Sequence, residues 1–337
     1  MRAQILRQVV SLRDVSTPLE LVDVPTPRPV RGEIRIRIAA CGVCHTELDE
    51  IEGRTAPPNL PIVPGHEVVG YVDEVGDGVV SHRVGDRVGV GWIHSSSGDE
   101  RENISPKFRA TGRDVNGGYA EFMTVPSDYA YPIPSSFSDA EAAPLLCAGA
   151  IGYRAVRLTG IKDGRTLGLT GFGGSAHLVL QMVRHQFPRT KIFVFARDPD
   201  QQVFARELGA EWAGHTTDRA PVPLDAIIDT TPAWQPVVEG LANLAPGGRL
   251  VINAIRKEDA DKERLLQLSY HEHLWMEREV KTVANITHYD IREFLPLAAE
   301  ISLRSTVTAY PLEEANRALM ELKQGSVKGA KVLLMDS

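Results

Sequence analysis

Residues 166–187 read TLGLTGFGGSAHLVLQMVRHQF, an apolar run, a glycine-rich turn and an amphipathic stretch in direct succession. This order predicts a short buried strand followed by a helix. In such a unit the first glycine makes a tight turn, and the second lets the backbone approach a pyrophosphate at the helix N-terminus. The sequence therefore predicts a dinucleotide site. Its contacts would be Gly171, Gly173, Gly174, Ser175 and Ala176, with Ala176 at the third glycine position.

Strand-like and helix-like segments alternate through the chain from about residue 148. KIFVFA, LDAIIDT and GRLVINAI are strand-like, and DQQVFARELG and PVVEGLANLAP are the helix-like segments among them. Such alternation predicts an α/β fold with a doubly wound parallel sheet. The glycine turn could instead be purely structural, but its position between a strand and a helix argues against that alternative.

The first 145 or so residues have a different sequence pattern. GEIRIRIAACGV, EVVGYVDEVG and DRVGVGWI are short runs rich in β-branched residues and bounded by Gly and Asp. Runs of this kind predict strands. We therefore expect a β-rich region ahead of the alternating one.

Composition excludes several classes of protein. The 337 residues can form two domains, and 37 basic against 44 acidic residues give a net charge of −7. That balance argues against a nucleic-acid binder dominated by phosphate contacts. No stretch approaches the roughly 18 consecutive apolar residues of a membrane span, and no signal peptide is evident. Three scattered cysteines do not make a disulfide framework, which favours a cytoplasmic location.

Soft metal donors lie in three short motifs: Cys44 in CGVCHTEL, His66 in PGHE and Cys147 in LLCAG. Zn²⁺ prefers thiolate and imidazole, and three protein ligands with one open position are typical of catalytic zinc. A metal together with a dinucleotide indicates hydride transfer. Each residue could instead belong to the core, since a buried Cys is often just a small hydrophobe. We interpret Cys41 in that way, because strand alternation turns it away from Cys44.

The end of the segment KIFVFA bears on the choice of dinucleotide. An NAD site usually places Asp or Glu there, about 20 residues after the glycine turn, to bind the ribose 2′-OH. Here Ala196 stands at that position and Arg197 follows it. A guanidinium can pair bidentately with a 2′-phosphate, so we predict NADP(H) in preference to NAD(H). If the register is one residue off, Asp198 takes the place of the acid and NAD(H) is favoured.

Six motifs together resemble the zinc-dependent alcohol dehydrogenases of the medium-chain dehydrogenase/reductase superfamily, in particular their microbial branch. The resemblance covers essentially the whole chain. It is carried by CGVCHTEL, LPIVPGHEVVGYVDEVG, VGDRVGVGW, NGGYAEF, PLLCAGAIGYRAV and GFGGSAH. It implies a GroES-like, β-rich catalytic domain from residues 1–148 and 287–337 and a Rossmann domain from 149–286. The implied activity is NAD(P)-dependent oxidation of an alcohol or reduction of an aldehyde.

The resemblance also implies roles for individual residues. Cys44, His66 and Cys147 would hold the catalytic zinc, with Glu67 supporting them or acting as an intermittent fourth ligand. His45 would contact the cofactor pyrophosphate, and Thr46 would take the substrate proton. Trp92 would form a wall of the substrate pocket and favour a primary or aromatic alcohol. A metal-bound His needs a partner on its other nitrogen, and our candidate is Glu47, where many relatives have Asp.

Two positions depart from the pattern of the family. Most relatives carry a structural zinc on a lobe of four cysteines. The corresponding stretch here, WIHSSSGDERENISPKF at 92–108, contains no cysteine. His94, Asp99, Glu100 and Glu102 make a poor ligand set. We therefore predict one zinc per subunit and a lobe that is either held by ordinary packing or mobile. Asp49 stands where the proton relay usually ends in His, which leaves open whether Asp49 or solvent takes the proton.

Three rival functions remain. A zinc-free quinone or enone reductase of the same superfamily would lack the Cys/His ligands. A non-catalytic NADP(H)-binding sensor would bind the cofactor without turning over a carbonyl, and a zinc polyol dehydrogenase would differ in its substrates. We expect a small-molecule alcohol or aldehyde as substrate, no nucleic-acid or membrane partner, and assembly into a homo-oligomer, a dimer or a tetramer.

Overall fold

The computed structural model describes residues 1–325 and 329–335. The chain divides into two compact units, Met1–Ala150 with Ile286–Ser337, and Ile151–Asn285. No helix in the described part of the chain is long and apolar enough to cross a membrane.

The first unit is rich in strands up to residue 132. Its elements in chain order are β1 (Arg2–Leu6), β2 (Leu19–Asp23), β3 (Glu33–Val43), α1 (His45–Ile51), β4 (Val68–Val75), β5 (Arg87–Val90), β6 (Ile93–Ser95), β7 (Arg109–Ala110), β8 (Phe122–Pro126), β9 (Tyr131–Pro132), α2 (Asp139–Ala142) and α3 (Ala148–Thr159). Short 3₁₀ turns lie at Glu102–Ile104, Ser127–Tyr129 and Ala143–Leu146. Helix α3 contains the boundary between the two units.

The second unit alternates strands and helices. Its elements are β10 (Thr166–Thr170), α4 (Ala176–Gln186), β11 (Lys191–Phe195), α5 (Pro199–Glu207), β12 (Trp212–Gly214), β13 (Leu224–Asp229), α6 (Gln235–Asn243), β14 (Leu244–Ile252) and β15 (Glu279–Thr282). A 3₁₀ segment, Asp259–Gln267, and a π-helical turn, Tyr270–Leu274, lie between β14 and β15.

The sheet of the second unit is parallel, in the order β12-β11-β10-β13-β14-β15. The strand order reverses at β10, so its carboxyl end is the switch point where doubly wound sheets bind ligands. Residues of β10, β11 and β13 are completely buried, among them Leu167, Val194 and Ile227. A continuous apolar run of this kind is what a sheet covered on both faces requires. The α/β fold predicted from the alternating segments is confirmed.

The chain then returns to the first unit with α7 (His288–Glu300), β16 (Val307–Pro311), α8 (Ala315–Lys323) and β17 (Ala330–Leu334). The main sheet of this unit has the order β16-β17-β3-β4-β5-β9, and β8 also pairs with β3. Leu333 of β17 is opposite Cys41 of β3. The carboxyl-terminal strand therefore fixes the end of β3, which leads directly into Cys44.

One predicted strand is wrong in its extent. The run DRVGVGWI was expected to be continuous, but β5 ends at Val90 and β6 begins at Ile93. The physical reason is a change of partner: β5 pairs with β4 and β9, whereas β6 pairs with β7. Trp92 lies in this break, at the start of the lobe.

Candidate functional site

Cys44 is placed by the junction between β3 and α1. It is the N-cap residue of α1 and has extended backbone, with φ −115° and ψ 164°. Its main-chain N–H donates a hydrogen bond to Glu47 Oε2 at 2.8 Å. A carboxylate three residues into a helix commonly satisfies the N-cap donor in this way. Glu47 therefore fixes the turn that presents the Cys44 thiol.

The same carboxylate orients His66. Glu47 Oε1 lies 2.5 Å from His66 Nδ1, and both side chains are almost fully buried. This contact confirms the predicted pairing of Glu47 with His66. Nε2 of the ring faces the opposite way and is buried with no hydrogen-bond partner among the described residues. A buried imidazole nitrogen left in this state fits a metal ligand whose other nitrogen is held by a carboxylate.

Four potential metal ligands converge around that nitrogen. One ligand atom each from Cys44, His66, Glu67 and Cys147 lies within 4.8 Å of the others. The two sulfur atoms are 3.9 Å apart. Glu67 reaches the group across Gly42, where a Cβ would lie 1.7 Å from Glu67 Oε2. Only glycine at position 42 leaves room for this carboxylate.

The electrostatics of the four donors favour a cation. A hydrogen bond from Cys147 lowers the pKa of the Cys44 thiol well below its usual value, although burial opposes the shift. That same hydrogen bond and burial raise the pKa of Cys147, and burial with the nearby Cys44 raises the pKa of Glu67. The group thus contains three acidic side chains, two thiols and one carboxyl, and only one imidazole that could carry a positive charge. A dication would favour the ionised form of all three groups and so oppose the raised pKa values of Cys147 and Glu67. Two sulfurs, one imidazole and one carboxylate are donors that Zn²⁺ accepts.

Thr46 and His45 follow Cys44 in the first turn of α1. Thr46 is nearly buried, and its hydroxyl oxygen lies 3.7 Å from Cys44 Sγ. The His45 side chain is exposed. Thr46 thus belongs to the immediate surroundings of the donor cluster, whereas the structure provides no contact between His45 and that cluster.

Asp49 is engaged in an ion pair. Its side chain is buried, and Oδ1 accepts a hydrogen bond from Arg54 Nε at 2.6 Å. No motif around Asp49 indicates this partner. The carboxylate of Asp49 is therefore already in contact with a cation within the first unit.

Trp92 lies beside the donor cluster. Its ring centroid is 6.3 Å from that of His66 and 5.7 Å from that of Phe108, the latter in edge-to-face geometry. Its main-chain carbonyl accepts a hydrogen bond from Thr111 N at 2.8 Å. The indole is therefore held between a candidate metal ligand and a residue of the lobe.

The lobe of residues 92–108 contains the four side chains considered above as ligands of a structural zinc, His94, Asp99, Glu100 and Glu102. Asp99 and Glu100 are exposed, and neither they nor His94 and Glu102 join a metal-binding group in the described part of the chain. Burial lowers the pKa of His94 to about 4. Glu102 is completely buried and its carboxylate accepts several hydrogen bonds. Sequence reasoning missed this residue because its partners lie far away in the chain.

The glycine-rich turn lies at the carboxyl end of β10. Gly171 has φ +75°, a conformation that favours glycine, and its N–H donates to Phe195 O at 2.8 Å. Positions 173 and 174 open outward, since a Cβ at either would meet no atom within 4 Å. Ser175 is the N-cap of α4, and Ala176 is its buried first residue. The turn leaves open space at the N-terminus of α4, where a pyrophosphate could bind.

The next strand, β11, ends beside this turn. Ala196 is buried, and Arg197 is exposed and has no hydrogen bond or ion pair within the described residues. Asp198 is the N-cap of α5, and its side chain accepts from Asp200 N at 2.9 Å. The acid that could have served an NAD ribose is therefore already used in capping a helix.

Comparisons with known proteins agree with this arrangement. Residues 30–135 match the alcohol dehydrogenase GroES-like domain. The chain is 42% identical to the probable alcohol dehydrogenase AdhA of Mycobacterium tuberculosis over 329 residues, which cover 94% of this chain and 93% of that protein.

Solved structures resemble the whole chain. An alcohol dehydrogenase from Aeropyrum pernix is 26% identical with a TM-score of 0.84, covering 99% of this chain and 100% of that one. A cinnamyl alcohol dehydrogenase from Sorghum bicolor is 25% identical with a TM-score of 0.81, covering 98% and 96%.

Proposed function

This chain belongs to the NAD(P)-dependent alcohol dehydrogenases of the medium-chain dehydrogenase/reductase superfamily, and we propose that it uses one catalytic zinc and prefers NADP(H). The single observation that carries the proposal of zinc is the convergence of Cys44, His66, Glu67 and Cys147 within 4.8 Å. The buried, partnerless Nε2 of His66 supports it. The reaction interconverts an alcohol and an aldehyde.

The role proposed for each residue follows from the geometry of the cluster. Cys44, His66 and Cys147 would hold the metal, with Glu67 as a further or intermittent ligand. When bound, zinc would supply Lewis-acid polarisation of the substrate oxygen. Glu47 keeps His66 oriented through Nδ1, which fixes the ring and its tautomer.

Thr46 is the proposed proton carrier. Its hydroxyl lies next to the cluster and is nearly buried, so it can accept the alcohol proton at Oγ1 while passing on its own. The nicotinamide, when bound, would accept the hydride of the alcohol carbon in oxidation and supply it in reduction. Because Asp49 is paired with Arg54, we propose that solvent rather than Asp49 finally takes the proton.

The preference for NADP(H) rests on the end of β11. Ala196 provides no acid to repel a 2′-phosphate, Arg197 is an exposed guanidinium with no ion pair among the described residues, and Asp198 caps helix α5. Arg is suited to bidentate contact with a phosphate. Gly171, Gly173, Gly174, Ser175 and Ala176 would bind the pyrophosphate through the backbone. A pyrophosphate contact by His45 stays a prediction from the family resemblance.

The proposed substrate is a primary or aromatic alcohol, or the matching aldehyde. Trp92 beside His66 supplies a flat apolar wall, against which an aromatic ring can pack. The structural relative from Sorghum bicolor is a cinnamyl alcohol dehydrogenase, which is consistent with this class of substrate.

Assembly into a homo-oligomer is also proposed. The edge strand β15 is exposed along its length, and Trp275, Met276 and Val280 near it expose large apolar surface. Open sheet edges and apolar patches are commonly covered by a partner. Light scattering on the purified protein should give the mass of a dimer or tetramer, and a monomer would contradict this. A cytoplasmic location stays a prediction from the scattered cysteines.

The direct test of the function is steady-state kinetics with both cofactors. Benzaldehyde, cinnamaldehyde, acetaldehyde and a quinone are assayed for reduction with NADPH and with NADH, and a polyol is assayed for oxidation with NADP⁺ and with NAD⁺. We expect aldehyde reduction, with kcat/KM higher for NADPH and for the aromatic aldehydes. Quinone reduction without aldehyde turnover would favour the zinc-free reductases, and polyol oxidation above all others would favour a polyol dehydrogenase. NADPH binding with no turnover would indicate a sensor.

A further inference from the structure

The lobe of residues 92–108 is closed at its base by a short antiparallel ladder between β6 and β7. β6 pairs with β7 only through Ile93 opposite Ala110 and Ser95 opposite Arg109. The intervening residues contain no cysteine, and one 3₁₀ turn, Glu102–Ile104, forms in them. So short a ladder cannot by itself order the segment between its strands, because fixing each residue costs conformational entropy.

Glu102 connects the lobe to other segments of the first unit by hydrogen bonds. Its side chain is 0% exposed. Oε1 accepts hydrogen bonds from His288 N at 2.5 Å and His288 Nδ1 at 2.6 Å. Oε2 accepts from the Tyr129 hydroxyl at 2.9 Å and from Gly98 N at 3.2 Å. Four donors from three separate segments therefore converge on a single carboxylate.

The connections around Glu102 reinforce one another. The Tyr129 oxygen accepts from Ser96 N at 3.0 Å while it donates to Glu102, and the Ser96 hydroxyl donates to Glu102 O at 2.7 Å. Burial and the Glu102 carboxylate raise the pKa of Tyr129 to about 12, so Tyr129 stays a donor. His288 is the first residue of α7, a helix of 13 residues, whose N-terminus favours a negative charge.

The lobe is in turn connected to Trp92. Phe108, near the end of the lobe, packs edge-to-face on the Trp92 indole, and Trp92 stands against His66. Thr111 closes the base of the lobe by donating from its N to Trp92 O and from its hydroxyl to Gly91 O. A lobe that opened would withdraw Phe108 and release one side of the indole.

We propose that Glu102 is a positioning residue: its buried carboxylate anchors the lobe to α7 and Tyr129 and, through Phe108, holds Trp92 in place beside His66. The anchoring depends on no assumed activity. The consequence for substrate binding rests on the proposed function, in which Trp92 is a wall of the substrate pocket.

The first test is limited proteolysis of Glu102→Gln against Glu100→Gln. Gln keeps the size of the side chain but turns an NH₂ group toward donors, so the anchor fails. Glu100 is an exposed neighbour in the lobe and is the matched control. We expect tryptic cleavage after the exposed Arg101 or Lys107 to accelerate roughly tenfold in Glu102→Gln only. Equal rates in the two variants would overturn the anchor.

The second test separates positioning from general destabilisation. At a temperature where Glu102→Gln is folded, KM for benzyl alcohol should rise about three- to tenfold with kcat nearly unchanged, and KM for ethanol should change less. Accelerated cleavage with unchanged KM values would reject the link to Trp92. Should Glu102→Gln fail to accumulate, Tyr129→Phe removes one donor and should give the same pattern at a smaller size. If wild type does not oxidise alcohols, the proposed function fails while the proteolysis still tests the anchor.

Discussion

The donor cluster and the glycine-rich turn differ in what forms the candidate binding site. In the cluster, side chains converge: Glu67 passes over Gly42, and Glu47 holds both Cys44 N and His66 Nδ1. In the turn, side chains are missing, and positions 173 and 174 leave open space over the backbone. The cluster depends on the ligand atoms that its side chains supply. The turn depends on the absence of side-chain atoms at positions 173 and 174.

This contrast has consequences for mutation. Replacing a donor in the cluster removes an atom that no neighbour can replace, so the expected losses are large. Adding atoms at the turn obstructs a ligand without removing a contact of the folded protein, so the expected losses are small and confined to cofactor binding.

Cys44→Ser should abolish turnover, with kcat reduced by roughly a thousandfold or more, because a weak hydroxyl replaces a thiolate donor. NADPH binding, measured by fluorescence titration, should be largely retained, since the glycine turn belongs to the second unit. Cys41→Ala is the control, since Cys41 is buried in β3 outside the cluster. Full activity of Cys44→Ser would refute the metal mechanism.

Glu47→Gln should lower zinc affinity about 10- to 100-fold, because the carboxylate that orients His66 and raises its basicity is lost. Competition with a chromogenic chelator measures this affinity. Glu50→Gln is the matched control: Glu50 is equally buried on the same helix, and no hydrogen bond joins it to His66. Unchanged zinc affinity in Glu47→Gln would show that the cluster is organised without it.

Arg197→Ala should raise KM for NADPH about tenfold and leave KM for NADH nearly unchanged, because only NADPH carries the phosphate that Arg197 would bind. Lys191→Ala removes an exposed cation from the opposite end of β11 and serves as the control. A similar loss with both cofactors, or with neither, would contradict the predicted role of Arg197.

Gly173→Ala should raise KM for either cofactor a few-fold and leave the melting temperature unchanged, since a methyl group there meets only open space. Gly171→Ala provides the contrast. Its φ of +75° and a Cβ 2.9 Å from Thr231 Cγ2 should cost about 1–2 kcal/mol of stability. A melting temperature lowered equally by both substitutions would mean that the turn is structural rather than a ligand site.

The sequence predicted features that depend on local pattern. The strand, glycine turn and helix of residues 166–187 follow from periodicity and turn chemistry, and the fold is confirmed. The donors Cys44, His66 and Cys147 were identifiable by residue type, and the structure brings them together.

Features made by distant partners could not be predicted. Glu102 and His288 are 186 residues apart, and no motif links them. The break between β5 and β6 at Trp92 arises because the two strands pair with different neighbours. In each case a contact between segments decided the outcome.

The central claim is a single catalytic metal held by the donor cluster. The most direct measurement is the zinc content per subunit of the purified, unchelated protein, determined alongside its alcohol dehydrogenase activity. We predict one zinc per subunit, lost together with activity on chelation. An active protein that contains no zinc would contradict the account.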